Sequence, residues 1–319
     1  MDEQVAKSHA DWLARQVKDW HLPFMGWAVG IFDFKTNTFA TQTFWHKEAV
    51  SSRTSPSFPP IYFDLASISK PLTFANLYAQ KPDLFSPEML LLLNHQGGLP
   101  AGGRLSKKTW REQILAYPIK KSPTLYSDYS AIRLMLELEQ KTKQDVLSLA
   151  KPSWDEEVKF WMELPKDVLC PPTGWRQGKE ICGEVHDDNA WMLKRFTGHS
   201  GLFATAEGLA RTLLNLVQQN NLLPKMIKLI KESGEQRFVG GFDRVINTAT
   251  TLAGNNSGKM VFGHLGFTGT AFWIDPELQV GHFALTNACY YAWYDRRILN
   301  QWRREVAQRV WGYFREIRK

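Results

Sequence analysis

Cysteine is scarce. The chain has three in 319 residues, Cys170, Cys182 and Cys289, with no CxxC pair and no metal-ligand spacing. So sparse and odd a count suits a reducing compartment better than a disulfide framework. Long apolar runs are missing too. No stretch approaches the ~20 residues that a helix needs to cross a bilayer. The start, Met1-Asp2-Glu3-Gln4-Val5, carries acids where a secretion signal carries lysines. A cytoplasmic protein without membrane contact is the expectation. Repeats and low-complexity segments are absent as well. Charge of one sign is rarely concentrated. The net charge is +7 and the pI about 9.2, but lysines and arginines are balanced locally by acids. Only Arg296 to Lys319 is markedly basic, so the surplus reads as a solvated surface rather than a nucleic-acid footprint.

What is present is a chain 44% hydrophobic and 13% aromatic, long enough for a large core and more than one compact unit. Residues 4–20 carry Val5, Trp12, Leu13, Val17 and Trp20 at helical spacing. Trp27–Phe34 and Thr38–Phe44 read as strands about a Lys35-Thr36-Asn37 turn, and Ser51–Pro60 as a loop. From about 76 to 170 the pattern is mostly helical. It includes Pro87–Asn94 with proline at the first helical position, Lys107–Ala116 and Ser130–Lys143. Thr205 is the expected cap of a helix through Leu216. Strand character returns in Gly266–Ile274 and Gly281–Thr286, joined by Asp275-Pro276-Glu277-Leu278. A terminal helix carries Leu299, Trp302, Val306, Val310, Tyr313 and Ile317 on one face, and Arg303, Arg304, Arg315 and Arg318 toward water. Strands at both ends with helices between predict an α/β (α+β) fold with an inserted helical domain. The expected division is 1–75 and 200–319 for the sheet domain and 76–199 for the helical one, with a cleft between.

Chemistry concentrates at Phe63-Asp64-Leu65-Ala66-Ser67-Ile68-Ser69-Lys70. On a helix, Ser-x-x-Lys puts both side chains on one face. A lysine whose pKa is lowered by desolvation can take the serine proton. Asp64 is placed to cap the helix, whose positive end favours an alkoxide. In Tyr126-Ser127-Asp128 a tyrosine beside the ammonium can relay protons, and Asp128 is either a helix cap or a polar anchor in the cleft. Phe262-Gly263-His264-Leu265-Gly266-Phe267-Thr268-Gly269-Thr270 is dense in glycine. It is either a twisted strand with a bulge or an exposed edge whose N–H, with that of Ser67, holds an oxyanion. His186, Asp187, Asp188 and His199 match no metal motif, and capping is the simpler role for either aspartate. No metal and no cofactor are expected.

Together these stretches resemble the serine β-lactamase-like superfamily: penicillin-binding proteins, class C β-lactamases and related esterases. Ser67-Ile68-Ser69-Lys70 stands at its Ser-x-x-Lys box, Tyr126-Ser127-Asp128 at its Tyr-x-Asn box and His264-Leu265-Gly266 at its Lys-Thr-Gly box. Leu91–Pro100, Gly183–Ala190 and Gly198–Phe203 are similar to further segments of the family. The resemblance implies an antiparallel sheet flanked by the two terminal helices, with Ser67 as acylated nucleophile, Lys70 as activator and Tyr126 as relay. It places the oxyanion on the N–H groups of Ser67 and Phe267, with Asp128, His264 and Gly266 beside the substrate. Two departures matter. Asp128 replaces an asparagine, and His264-Leu265 replaces a lysine and a threonine suited to a carboxylate. Unless Arg176 or Arg195 supplies the charge, this favours a neutral ester or amide over a β-lactam or D-Ala-D-Ala terminus. Pro71 and the acidic start also point away from a cell-wall enzyme. A β-lactamase or peptidase, or a binding protein without turnover, are the rival expectations.

Overall fold

The computed structural model describes residues 3–46, 48–50 and 59–319, with backbone alone for 48–50. Most of the expected Ser51–Pro60 loop lies outside the described residues. Gly26–Asp33 is the central strand because both of its faces are covered, and every one of its residues is buried. It pairs antiparallel with Thr38–Trp45 on one side and with Val280–Thr286 on the other, in the register Trp27 to Thr286. Strand segments near the two ends of the chain are thus neighbours in one sheet. Its order is Glu48–Val50, Thr38–Trp45, Gly26–Asp33, Val280–Thr286, Ala271–Asp275, Phe262–Leu265, Phe242–Arg244, Phe238–Val239, all antiparallel.

Each face of the sheet carries its own core. On one side Leu13 and Val17 of the helix Glu3–Val17 meet Val306, Val310 and Phe314 of Arg297–Ile317, and Trp12 stacks on Tyr313 at 4.2 Å. On the other lies Ala206–Gln219, capped by Thr205, whose hydroxyl accepts the Gly208 N–H at 2.9 Å. Its core continues into the helices Pro87–Leu93, Trp110–Leu115, Asp128–Thr142 and Val146–Ala150. Ser86 caps the first of these ahead of Pro87, and the third ends where Lys143 turns left-handed.

Two expectations are corrected. Gly266–Ile274 is not one strand: pairing stops at Leu265, residues 266–270 turn back, and Ala271 resumes it. A Cβ on Gly266 would fall 1.9 Å from Thr270 Oγ1, and Gly269 has φ +120°, so the glycines serve a turn. The arginine face of the terminal helix is not simply in water either. Arg303 is buried, Arg318 pairs with Asp33 at 2.6 Å, and Arg304 and Arg315 donate to the Thr251 and Asn256 carbonyls. Guanidinium groups reach carbonyls that a ridge of apolar side chains would leave unsatisfied.

Candidate active site

A small second sheet aims the Ser67 turn. Phe63–Asp64 pairs with Leu202–Ala204, which also pairs with Val158–Phe160, and Ser69 Oγ accepts the Leu202 N–H at 3.1 Å. After it the chain makes a 3₁₀ turn at Ala66–Ile68, a wide π turn at Pro71–Ala75 and an α-helix at Asn76–Gln80. Ala66 sits at φ +47°, a costly conformation for alanine. Asp64 holds it there rather than capping the helix as expected. One carboxylate oxygen accepts the Ala66 N–H at 2.8 Å and the other the His186 N–H at 2.7 Å. Burial pushes the Asp64 carboxyl up to about 7.

Ser67, Lys70, Tyr126 and Asp128 converge. Buried Lys70 Nζ donates to Ser67 Oγ at 2.9 Å and to the His199 carbonyl at 3.0 Å, and it pairs with Asp128 at 2.7 Å. It lies 4.9 Å from the Tyr126 ring centre, and Lys70 and Ser67 both bear on the Tyr126 phenol. The expected lowering of the lysine pKa is reversed. Burial does pull it down, but Asp128 and Tyr126 outweigh burial and raise it, so Lys70 is charged in this arrangement. Burial also raises the Tyr126 pKa against the pull of Lys70, so the phenol keeps its proton. Asp128 does not cap its helix; Ser127 does, accepting the Ser130 N–H at 2.9 Å. Ser127 also donates from its hydroxyl to the Pro100 carbonyl and from its N–H to His95 Nδ1. The His95–Pro100 segment therefore backs the Tyr126 loop.

The third stretch is built differently. His264 is buried, and its Nδ1 faces the Leu265 carbonyl at 2.8 Å, which can only accept, so Nδ1 carries the proton. Nε2 has no partner among the described residues. Burial, then the Lys70 charge, drops the ring to about 3. His264 is neutral, and Leu265 donates nothing. Arg195 does not stand in for the lost cation, because it pairs with Glu139 away from the cleft. Arg176 lines the cleft, but Asp188 and the Val185 and His186 carbonyls occupy its donors. Beside His264, the Ser67 and Phe267 N–H groups meet no acceptor among the described residues. Leu65 O and the Cα of Gly266 press together so closely that a Cβ there would lie 2.6 Å from that oxygen.

Ser67, Tyr126, Asp128 and Phe267 open on one cleft of about 740 Å³, with Asp187, Asn189, Trp191 and Trp293 on its walls. His199 Nε2 lies 3.0 Å from Asp187 and its Nδ1 2.8 Å from the Thr197 hydroxyl. Burial opposes the Asp187 charge, yet His199 outweighs it and holds that carboxyl well below its ordinary range. Asp187 also caps Asp188–Leu193 through the Ala190 N–H. The His186 ring stacks on Phe267 instead of turning toward His199. Among the described residues no cluster of His, Cys, Asp or Glu could hold a metal. Sequence reasoning missed the anchoring part of Asp64 and the carbonyl of His199. The first hides in a positive φ, and the second is backbone, which no side-chain motif records.

The β-lactamase family model matches residues 89–306, more than half of the chain, including the Tyr126 and His264 stretches. The chain is 30% identical over 115 residues to an N-acetylmuramyl-L-alanine amidase of Bacillus subtilis (strain 168), a match spanning 33% of this chain and 26% of the amidase. In fold it is similar to a β-lactamase/D-alanine carboxypeptidase from Pseudomonas syringae, with TM-score 0.59 and 13% identity over 96% of this chain and 98% of that one. It is likewise similar to EstCE1, a hydrolase with promiscuous acyltransferase activity, with TM-score 0.60 and 14% identity over 95% and 98%. Given the family match and that shared architecture, the chain belongs to the β-lactamase family of serine hydrolase fold.

Proposed function

We propose that the protein is a serine hydrolase working through an acyl-enzyme on a neutral ester or amide. One observation carries the reading: a charged Lys70 donates to the Ser67 hydroxyl beside the Tyr126 phenol in an open cleft, while the position suited to a substrate carboxylate holds a neutral histidine. Ser67 Oγ bonds to the carbonyl carbon, and its proton passes to Lys70 as Lys70 releases one to Asp128, 2.7 Å away. The carbonyl oxygen, now negative, rests on the N–H groups of Ser67 and Phe267. Collapse breaks the bond to the leaving group, which takes a proton from Tyr126, and Asp128 and Lys70 return that proton to the phenol. Water then attacks the acyl carbon by the same path in reverse. Three free thiols and no helix among the described residues long and apolar enough to cross a membrane support a cytoplasmic setting.

The test is intact-mass detection of acylation over a panel of neutral esters, amides and penicillins, with Ser67→Ala beside the wild type. Adducts from esters or amides, lost in the variant with turnover down about a thousandfold or more, are expected. Faster acylation by penicillins would favour the β-lactamase or peptidase reading. No adduct from any member would leave a binding protein.

A further inference from the structure

The turn that carries the Phe267 N–H is gripped from two sides. From below, the Thr268 hydroxyl donates to the Asp64 carbonyl at 2.7 Å and the Thr270 hydroxyl to the Leu65 carbonyl at 3.0 Å. These bonds tie the turn to the two residues that lead into Ala66 and Ser67. From above come two arginines at the start of the terminal helix. Arg303 Nη2 donates to the Gly266 carbonyl at 3.1 Å and the Thr270 carbonyl at 2.6 Å, and Arg296 Nη1 donates to the Phe267 carbonyl at 2.7 Å. The Arg296 guanidinium also lies 4.6 Å from the centre of the Phe267 ring. Within the turn, Gly266 N–H bonds the Thr270 carbonyl and Gly269 N–H the Gly266 carbonyl. Phe267 N–H, beside Ser67, meets no acceptor among the described residues.

Burying Arg303 is costly, and no carboxylate pays it back. Its partners are backbone carbonyls and, at 3.4 Å, Asn300, while Nε has no partner among the described residues. Burial together with nearby Arg296 drops its pKa to about 9. Two cations, one placed so expensively, on the two carbonyls that flank Phe267 and its N–H, have a reason in that N–H. Bonding the carbonyl of a peptide polarises its neighbours in the chain and fixes the peptide planes on which an oxyanion donor depends. Resting on the acyl-enzyme reading above, we infer that Arg303, assisted by Arg296, is a positioning residue for the oxyanion hole, so that the C-terminal helix sets the second donor. The sequence pattern alone places Arg303 in water; only the fold brings it onto the turn.

The experiment compares wild type, Arg303→Met, Arg303→Lys and Arg296→Met on p-nitrophenyl butyrate and on its thionoester, in which a weakly accepting sulfur replaces the carbonyl oxygen. Folding is checked by circular dichroism and melting. For Arg303→Met, kcat on the oxygen ester should fall about 10- to 100-fold, less than the loss of a whole donor, with KM within about threefold. The thionoester rate should fall much less, so the preference for oxygen over sulfur narrows. Arg303→Lys should recover part of kcat, and Arg296→Met should shift the preference the same way to a smaller degree. Unchanged kcat in Arg303→Met, or equal losses on both substrates, would overturn the inference. Should Arg303→Met not fold, Arg303→Lys and Arg296→Met decide by the same oxygen-to-sulfur ratio. A wild type that forms no Ser67 adduct would overturn the acyl-enzyme reading and this inference with it; an adduct with an unmoved ratio overturns this one alone.

Discussion

Lys70 and His264 are both buried nitrogen bases beside the Ser67 cleft, and they end in opposite charge states. Lys70 has a carboxylate at 2.7 Å and a phenol beside it, and it is held charged. His264 has one carbonyl, which asks only for a proton that neutral imidazole already carries at Nδ1. Depth of burial is similar, so depth does not decide. The partner does. The same arrangement that keeps a cation beneath Ser67 thus leaves His264, buried 5.9 Å from the Tyr126 ring centre, with no charge to offer.

The largest expected effect comes from making Lys70 more like His264. Asp128→Asn takes away the counter-charge and the proton acceptor while keeping the size of the side chain. Acylation at pH 7 should slow on the order of a hundredfold or more, the usual worth of a general base. Without its carboxylate the Lys70 pKa must fall, because burial then acts with less opposition. The pH dependence of fluorophosphonate labelling at Ser67 should therefore shift toward lower pH. An unshifted profile with full reactivity would mean that Asp128 does not govern Lys70.

Asp64 sharpens the comparison as a third case, a buried acid whose partners are two N–H dipoles and no cation. Dipoles alone do not offset its burial, and its pKa rises from the ordinary 3.8 to about 7. An acid with a raised folded pKa favours folding in its protonated form. Its contribution is whole below about 4 and fades as pH rises through 7. The shift corresponds to about 4 kcal/mol. Asp33 and Asp187, both lowered, act in the opposite sense and below this window, being lost as pH falls under 3.8. Neutral His95, His186, His264 and His282, all lowered chiefly by burial, add stability as pH rises toward 6.5, so the curve of the wild type alone mixes signs. The measurement is the difference between wild type and Asp64→Asn in urea midpoint at pH 4.5 and pH 8. The wild type should lose stability relative to the variant between the two. A constant difference would place the Asp64 charge elsewhere in pH.

These three groups also show what a sequence can carry. That Ser67, Lys70 and Tyr126 lie together is legible because Ser-x-x-Lys spacing and a tyrosine box are local patterns, and local patterns survive folding. The strand pairing of Gly26–Asp33 with Val280–Thr286 is legible in kind, from strand character at both ends of the chain. The charge of Lys70 is not, because no local pattern brings Asp128 to 2.7 Å from Nζ instead of leaving it to cap its own helix. Asp64 was misread for a related reason. A cap was the simplest use of an aspartate before a helix, but Ala66 in a left-handed conformation has no signature in a side chain that is not glycine. Arg303 failed on tertiary grounds, since helical spacing assigns a face but not what lies over it.

The smallest expected effect is on substrate choice, and it runs the comparison backwards by giving His264 the properties of Lys70. His264→Lys with Leu265→Thr puts a cation and a hydroxyl where the Lys-Thr-Gly box of the family has them. The new ammonium would lie near Lys70, already charged, so part of its pull on a substrate is spent against repulsion. One charge-assisted hydrogen bond is worth about 1.5–3 kcal/mol. The ratio of kcat/KM for an anionic β-lactam to that for a neutral ester should accordingly rise by roughly ten- to a hundredfold in the double variant, and the lower end is the more natural outcome if Lys70 keeps its proton. Arg176 offers no shortcut in the wild type, because Asp188 and two carbonyls already occupy it. A wild type that prefers the β-lactam from the outset would show that neutrality at His264 does not set the choice, and that a carboxylate finds its partner on another wall of the cleft.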